Sequence, residues 1–362
     1  METGPRRGLV VFVLALLVAS VGGLVRGTRV LPRVAGVLGA AAPGVEAPVV
    51  ELTNGGLVLG VLPPLGGRVV ILRARDGENL LDSDPSGWLP PFPEASLDLP
   101  FRPWNGRIVW TGPQSAFWSQ QDVQPERRAS KAGWPPDPYN EAARFEVVER
   151  TPARLVLQGP VSPVTGLMLR HDYEITAART VRMRVTATNG RQTPVSWDLW
   201  PNTRVRPGGH PYVPLDPGRP PRVELPAPGT GPVGPYPHAV HGEWLAMPPG
   251  HRPQAPHRRL SAKAFVEPPR GLVAFFHGAH LLLVRAPVVP PEGLHPEQAF
   301  VEVYRGAGET PADDILELEM HGAYETLPPG GTMSFEQTFE VLDYHGKPDV
   351  AGHLARLSRL AP

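Results

Sequence analysis

The chain has no cysteine among its 362 residues. That excludes disulfides, thiolate metal sites, a cysteine nucleophile and a lipidated cysteine anchor. Lysine is nearly absent too, with only Lys131, Lys263 and Lys347 among 35 basic residues. Acidic and basic residues are equal at 35 each, so the formal net charge is zero. No block of one sign runs through the chain, which argues against nucleic acid as a partner. There is no phosphate loop, no G-x-G-x-x-G opening a helix and no G-x-S-x-G elbow. Nucleotide binding and serine-hydrolase chemistry of those types are therefore not expected. Helical periodicity is equally scarce. Only the segment 353–360, with Leu354, Leu357 and Leu360 three apart, reads as a short terminal helix.

What the chain does have begins with Arg6 and Arg7, followed by an uncharged apolar run from Leu9 to Val25. A charged start before an apolar stretch has the form of an export signal or anchor. Arg6-Arg7-Gly8-Leu9 is also a loose match to a twin-arginine signal. Cleavage near Ala19-Ser20 or within residues 40–42 and retention as an anchor are both open. Residues 1–25 are thus expected to be a signal or membrane anchor and 26–47, rich in Gly, Ala, Pro and Val, a linker. An extracytoplasmic location, periplasmic or at the cell surface, follows as an expectation.

From residue 48 onward short apolar runs alternate with Gly and Pro, the pattern of an all-β sandwich. Strands are expected at 57–62, 68–73, 144–149, 154–158, 167–175, 181–188, 195–200, 272–276, 280–285, 300–304, 315–320 and 333–341. The clearest is 181–188, where Val181, Met183, Val185 and Ala187 alternate with Arg182, Arg184, Thr186 and Thr188. The proline-rich stretches 207–237 and 248–256 read as long loops. A sandwich domain over 48–343 and a short helical tail over 344–362 complete the expected organisation.

Several motifs carry a resemblance. They are Leu65-Gly-Gly-Arg-Val-Val70 with Asn79-Leu-Leu81, then Trp104-Asn-Gly-Arg-Ile-Val-Trp110, Gly112-Pro-Gln114 and Trp134-Pro-Pro-Asp-Pro138. Trp197-Asp-Leu-Trp-Pro-Asn-Thr203, Val301-Glu-Val-Tyr304 and Leu316-Glu-Leu-Glu319 follow in order. Over residues 50–342 the chain resembles a group of uncharacterised proteins in the galactose mutarotase-like superfamily. The resemblance implies an all-β supersandwich of antiparallel sheets, with a concave face that binds carbohydrate in relatives. Two departures stand out. Trp110-Thr-Gly-Pro-Gln114 replaces the Trp-Pro-Ala-Pro-Gln of relatives, and the 197–203 segment has no histidine where the superfamily's epimerases place their first catalytic one.

Ring-opening epimerisation needs a general base for the anomeric hydroxyl and a general acid for the ring oxygen. Glu302 is the expected base, because Val301 and Val303 would face the core and turn Glu302 and Tyr304 toward a cleft. Glu317 and Glu319 share a face in the same way, to divide acid and base work or simply to face solvent. On the 196–204 segment Asp198, Trp200, Asn202 and Arg204 separate from Trp197, Leu199 and Thr203. An aromatic ring with short polar neighbours suits a sugar. Asn105, Arg107 and Gln114 are further candidates for substrate binding, while Trp118, Trp134 and Asp137 read equally as loop packing. His238/His241 and His277/His280 lack a helix and the glutamate of an H-E-x-x-H motif, so no metal site and no cofactor are expected. His210, His277 and His280 remain candidate general acids.

The sequence reading is therefore a cell-envelope protein that recognises a carbohydrate or sugar-like small molecule and meets the membrane through its N-terminal segment. An aldose 1-epimerase-like isomerase and a non-catalytic structural envelope protein are the alternatives.

Overall fold

The structure, a computed structural model, describes residues 48–225, 232–254 and 259–360. The expected signal or anchor and linker, residues 1–47, lie outside the described residues. Among the described residues no helix is long and apolar enough to cross a membrane.

Two large sheets face each other. The first has 11 strands and the second 10, with antiparallel pairing throughout except for one short parallel contact, Val233–Pro235 on Arg259–Val266. The middle of the first sheet runs Arg107–Gly112, Val195–Arg204, Ile315–Met320, Val301–Ala307, Arg259–Val266. The second is centred on Leu272–His277, His280–Arg285, Thr332–Asp343, Thr180–Asn189 and Leu167–Ala177. Period-two alternation decides which side chains meet between them. Trp197, Leu199, Val301, Val303, Leu316 and Leu318 from the first sheet pack with Val181, Met183, Val185, Phe339 and Val341 from the second in one apolar core. The alternate residues of the first sheet are forced to its other face. That face is covered by the long excursion between Arg68–Ala74 and Glu146–Arg150, which contributes Phe101, Phe117, Trp118 and Trp134.

Every expected strand overlaps an observed one. Strands not expected include Val50–Thr53, Arg107–Gly112, Trp244–Ala246, Arg259–Val266 and Glu325–Leu327, and others lie where proline masked the pattern. The stretch 207–237 contains strands His210–Pro214, Arg222–Glu224 and Val233–Pro235. These are short pieces near the sheet margins, where a missing N–H costs little. The terminal helix is Val350–Leu357, starting ahead of the expected 353 because the Asp349 side chain accepts from the Gly352 N–H at 2.7 Å and sets the N-terminus there.

Candidate functional site

Antiparallel register lines up the outward residues of four strands. Glu302 stands opposite Glu319, and Glu319 opposite Asn202. One pleat along, Lys263 stands opposite Tyr304, Tyr304 opposite Glu317, and Glu317 opposite Arg204. Trp200 faces Trp110 across the next strand pair. His321 follows directly on Ile315–Met320, continuing the Glu317, Glu319 alternation onto the same face.

These residues form one charged cluster. The Lys263 ammonium lies 2.6 Å from Glu302 Oε2 and 2.9 Å from Glu319 Oε2. His321 Nε2 lies 3.5 Å from Glu302 Oε1, and its Nδ1 lies 2.9 Å from Asp198 Oδ2. Asn202 donates to Glu319 at 2.8 Å, and the Ala299 N–H donates to Glu302 at 3.0 Å. Arg204 donates from Nε to Glu317 at 2.7 Å and from a terminal nitrogen to the Asn105 side-chain carbonyl at 2.5 Å. Asp198, Glu302, Glu319 and His321 are each at most 2% exposed, while the Lys263 side chain is 14% exposed. Lysine 263 is therefore the part of the cluster that reaches solvent, with its ammonium 4.8 Å from the Trp200 ring centre.

Burial and charge set the protonation. Burial alone would raise Glu302, but the Lys263 ammonium and the His321 ring outweigh it and hold it at about 2. Burial pushes Glu319 up to about 7, opposed by Lys263 and reinforced by Glu317 and Glu302. Burial would lower His321, yet Glu302 and the hydrogen bond to Asp198 carry it up to about 10. Burial would also lower Lys263, and its two carboxylates reverse that into a rise. At neutral pH the structure thus holds an imidazolium against a firmly ionised Glu302. Glu302, Glu319 and His321 could each offer a ligand atom, all within 4.8 Å of one another. The cation between the two carboxylates is Lys263 itself.

Beside the cluster opens a pocket with about 230 Å³ of space, part of it open solvent, lined by Arg68, Phe101, Trp104, Asn105, Asn202 and Arg204 among others. As it stands the enclosed part of this pocket has room for about one water, so it is a narrow cleft rather than a formed ligand cavity. Asn105 adopts a left-handed backbone (φ 59°), which asparagine tolerates better than most residues. Its amide donates to Asp82 at 3.0 Å, its side-chain carbonyl takes the Arg204 bond, and its backbone carbonyl accepts from Arg68 at 2.8 Å.

Of the residues expected from sequence, Glu302, Asp198, Trp200, Asn202, Tyr304 and Asn105 come together on this face or at its pocket. Trp200 is only 3% exposed, so its ring is a wall against Trp110, Phe117 and His321 and offers no open stacking surface. Tyr304 accepts from Ser261 at 3.1 Å at the cluster's edge. Arg107 points the other way, into the space between the sheets, because it alternates with the outward Ile108. Gln114 sits in the 3-10 turn Gln114–Ala116 that follows the strand Arg107–Gly112. Asp137 caps the helix Pro138–Ala142 and bonds Ser162 and Thr165, a structural role. His210, His277 and His280 belong to the second sheet and do not meet Glu302.

Sequence reasoning missed His321, Lys263 and Gln298, whose side-chain amide lies 2.8 Å from His321 Nδ1. The signal for His321 was the period of two through 317 and 319. The signal for Lys263 was the alternation of Ala262, Ala264 and Val266 with Lys263 and Phe265, hidden behind a proline-rich stretch. Gly112 marks the same site from behind. A Cβ there would lie 2.2 Å from both Asp198 Oδ1 and Gln298 Nε2. Glycine in Trp110-Thr-Gly-Pro-Gln114 is what lets the Asp198–His321–Gln298 group sit against the strand.

This architecture is the galactose mutarotase-like fold. A galactose mutarotase related enzyme from Lactobacillus acidophilus superposes with a TM-score of 0.51 at 8% identity, over 83% of this chain and 100% of that one. A galactose mutarotase-like protein from Lactobacillus casei superposes with a TM-score of 0.50 at 11% identity, over 81% and 100%. A TPR-domain containing protein from Parabacteroides distasonis gives 0.50 at 12% identity, over 83% of this chain and 48% of that one. No curated protein matches the sequence. The chain belongs to the family described as a domain of unknown function, DUF4380, which matches residues 48–342.

Proposed function

We propose that this protein recognises a carbohydrate, which docks over the narrow pocket beside Asn105 and Asn202, next to the charged cluster. The observation that carries the reading is a concentration of buried polar atoms without protein partners. Asp198 Oδ1, Trp200 Nε1 and Gln298 Oε1 have no hydrogen-bond partner, and His321 Nε2 has only its ion-pair contact with Glu302. Buried polar atoms are normally paired, and a cluster of exceptions marks a place built for another polar molecule. A sugar, with hydroxyls that both donate and accept, suits mixed donors and acceptors. The pocket supplies Trp104 as an apolar wall. The Leu9–Val25 pattern supports placing this activity at the cell envelope.

The protonation pattern disfavours Glu302 as the base expected from sequence, although Glu319, at about 7, lies near neutrality in the same cluster. A general base works best with a pKa near the working pH. Glu302 at about 2 and His321 at about 10 are each other's counter-ions and sit far from neutrality. A second reading, an aldose 1-epimerase-like isomerase, rests on the 3.5 Å approach of His321 to Glu302, which would pair the expected base with an acid.

Thermal stabilisation of the full-length protein against a panel of neutral, amino and acidic sugars tests the reading. One sugar class should raise Tm saturably, and Trp104→Ala should abolish the rise. No shift with any sugar would reject recognition in favour of an envelope scaffold. Anomer exchange of the stabilising sugar, followed by NMR, separates the isomerase reading from binding alone.

A further inference from the structure

Arg107 forms a second concentration of unpaired polarity, between the sheets and away from the sugar pocket. It is 1% exposed. One terminal nitrogen donates to Gln337 at 2.8 Å, but Nε and the other terminal nitrogen have no partner. Its guanidinium carbon lies 5.6 Å from the centre of the Phe339 ring. Among the described residues no carboxylate pairs with it; Arg68, Arg204, Glu302 and Glu319 each have an opposite charge in contact, and Arg305, buried without one, donates to the Pro207, Gly209 and Met247 carbonyls, so Arg107 is left with neither solution. Arginine does not deprotonate in proteins, so it cannot escape burial by becoming neutral. An isolated buried charge is strongly unfavourable unless it is paired.

His171 is also 1% exposed, its Nε2 has no partner, and it lies close enough for the Arg107 charge to hold its imidazole down. Its Nδ1 lies 2.9 Å from the Tyr173 hydroxyl, which lies 2.9 Å from the Gly67 carbonyl. The tyrosine has one proton to give. If it goes to Gly67, His171 carries its proton on Nδ1 and Nε2 is an acceptor. If it goes to His171, Nε2–H becomes a donor alongside the two free Arg107 donors.

We propose that Arg107 and His171 hold a small monovalent anion of halide size between the two sheets, with His171 in the Nε2–H tautomer. The anion supplies the missing counter-charge and takes up the three unpaired donors. This accounts for a charged residue in a position that alternation assigns to the core.

The test uses bromide. Crystals of the full-length protein grown or soaked in bromide should show an anomalous peak within hydrogen-bonding reach of Arg107 Nε. In solution, chloride or bromide should raise Tm saturably by a few degrees relative to gluconate at equal ionic strength. Arg107→Met, a replacement of buried charge by an apolar chain that folds normally in comparable cases, should erase that difference. A water peak in place of bromide would overturn the proposal, and so would a halide response that Arg107→Met retains.

Discussion

Replacing Lys263 by methionine removes one ammonium and leaves two buried carboxylates facing each other. Deleting one partner of a buried pair costs about 3–5 kcal/mol, because the remaining charge keeps its desolvation penalty. Here two carboxylates lose the same partner, which argues for the upper end. Two features pull the other way. Lys263 is 14% exposed, so water screens part of the contact. Glu319, already pushed up to about 7, can discharge itself by taking a proton. The expected loss at neutral pH is therefore about 3 kcal/mol. A second substitution makes the reasoning specific. Glu319→Gln in the Lys263→Met background removes the surplus carboxylate, retains the Asn202 contact through the amide oxygen, and leaves Glu302 with His321. It should recover about 1–2 kcal/mol, so the two changes should be strongly non-additive. Urea denaturation of the four proteins in the double-mutant cycle reads this directly. A single-mutant loss below about 1 kcal/mol, the level of an exposed pair, would refute the claim that the lysine neutralises the cluster. So would a double mutant that is less stable than Lys263→Met.

The protonation pattern gives a pH signature. Glu319 has a folded pKa of about 7 against an ordinary 4.5, so the folded state binds the extra proton and stability falls as pH rises through that window. The wild type minus Glu319→Gln difference should show that fall between about pH 4.5 and 7 in denaturation curves. His321, raised from 6.5 to about 10, contributes stability fully below pH 6.5 that is lost as pH climbs through 10; His321→Gln should lose that alkaline limb. Gly112→Ala must displace Asp198 or Gln298, and should cost about 1–3 kcal/mol by overpacking while abolishing any sugar-dependent Tm rise. Asn105→Gly keeps the left-handed backbone but deletes the bonds to Asp82 and Arg204. It should cost about 1–3 kcal/mol for the unpaired charged partners, and Asn105→Ala should cost more because its Cβ strains the same φ.

The sandwich was legible because its strands alternate so regularly. The period that placed Val301 and Val303 in the core also turned Glu302 outward, and the same rule separated Asp198, Trp200, Asn202 and Arg204 from Trp197 and Leu199. What could not be read was which outward residues meet. Glu302 and Glu319 are 17 positions apart and Lys263 is 39 from Glu302, so only sheet register joins them. The histidine absent from 197–203 is replaced for a similar reason from elsewhere. Asp198 occupies that strand, and the imidazole arrives from His321, across the sheet and just past a strand end. Arg107 shows the converse limit. Its charge suggested a ligand contact, but its parity with Val109 places it in the core, and parity decided.

The two sets of unpaired atoms can be compared by what surrounds them. Around His321 three cations, Lys263, His321 and Arg204, face the four carboxyls of Asp198, Glu302, Glu317 and Glu319, and the charges balance when Glu319 holds its proton. Such a site does not need another ion; it needs hydroxyl-like partners, and Glu319 near 7 can adjust its proton to whatever enters. Around Arg107 the neighbours are neutral or apolar, Gln337, Tyr173, His171 and Phe339, and the surplus is one whole positive charge. Burial and the Arg107 charge hold His171 down at about 3, so it does not add to that surplus. The same accounting of buried polar atoms therefore points to two different kinds of guest. A neutral polyol beside the balanced cluster and an anion beside the lone guanidinium should respond independently, with sugar leaving the halide response intact and Arg107→Met leaving sugar binding intact.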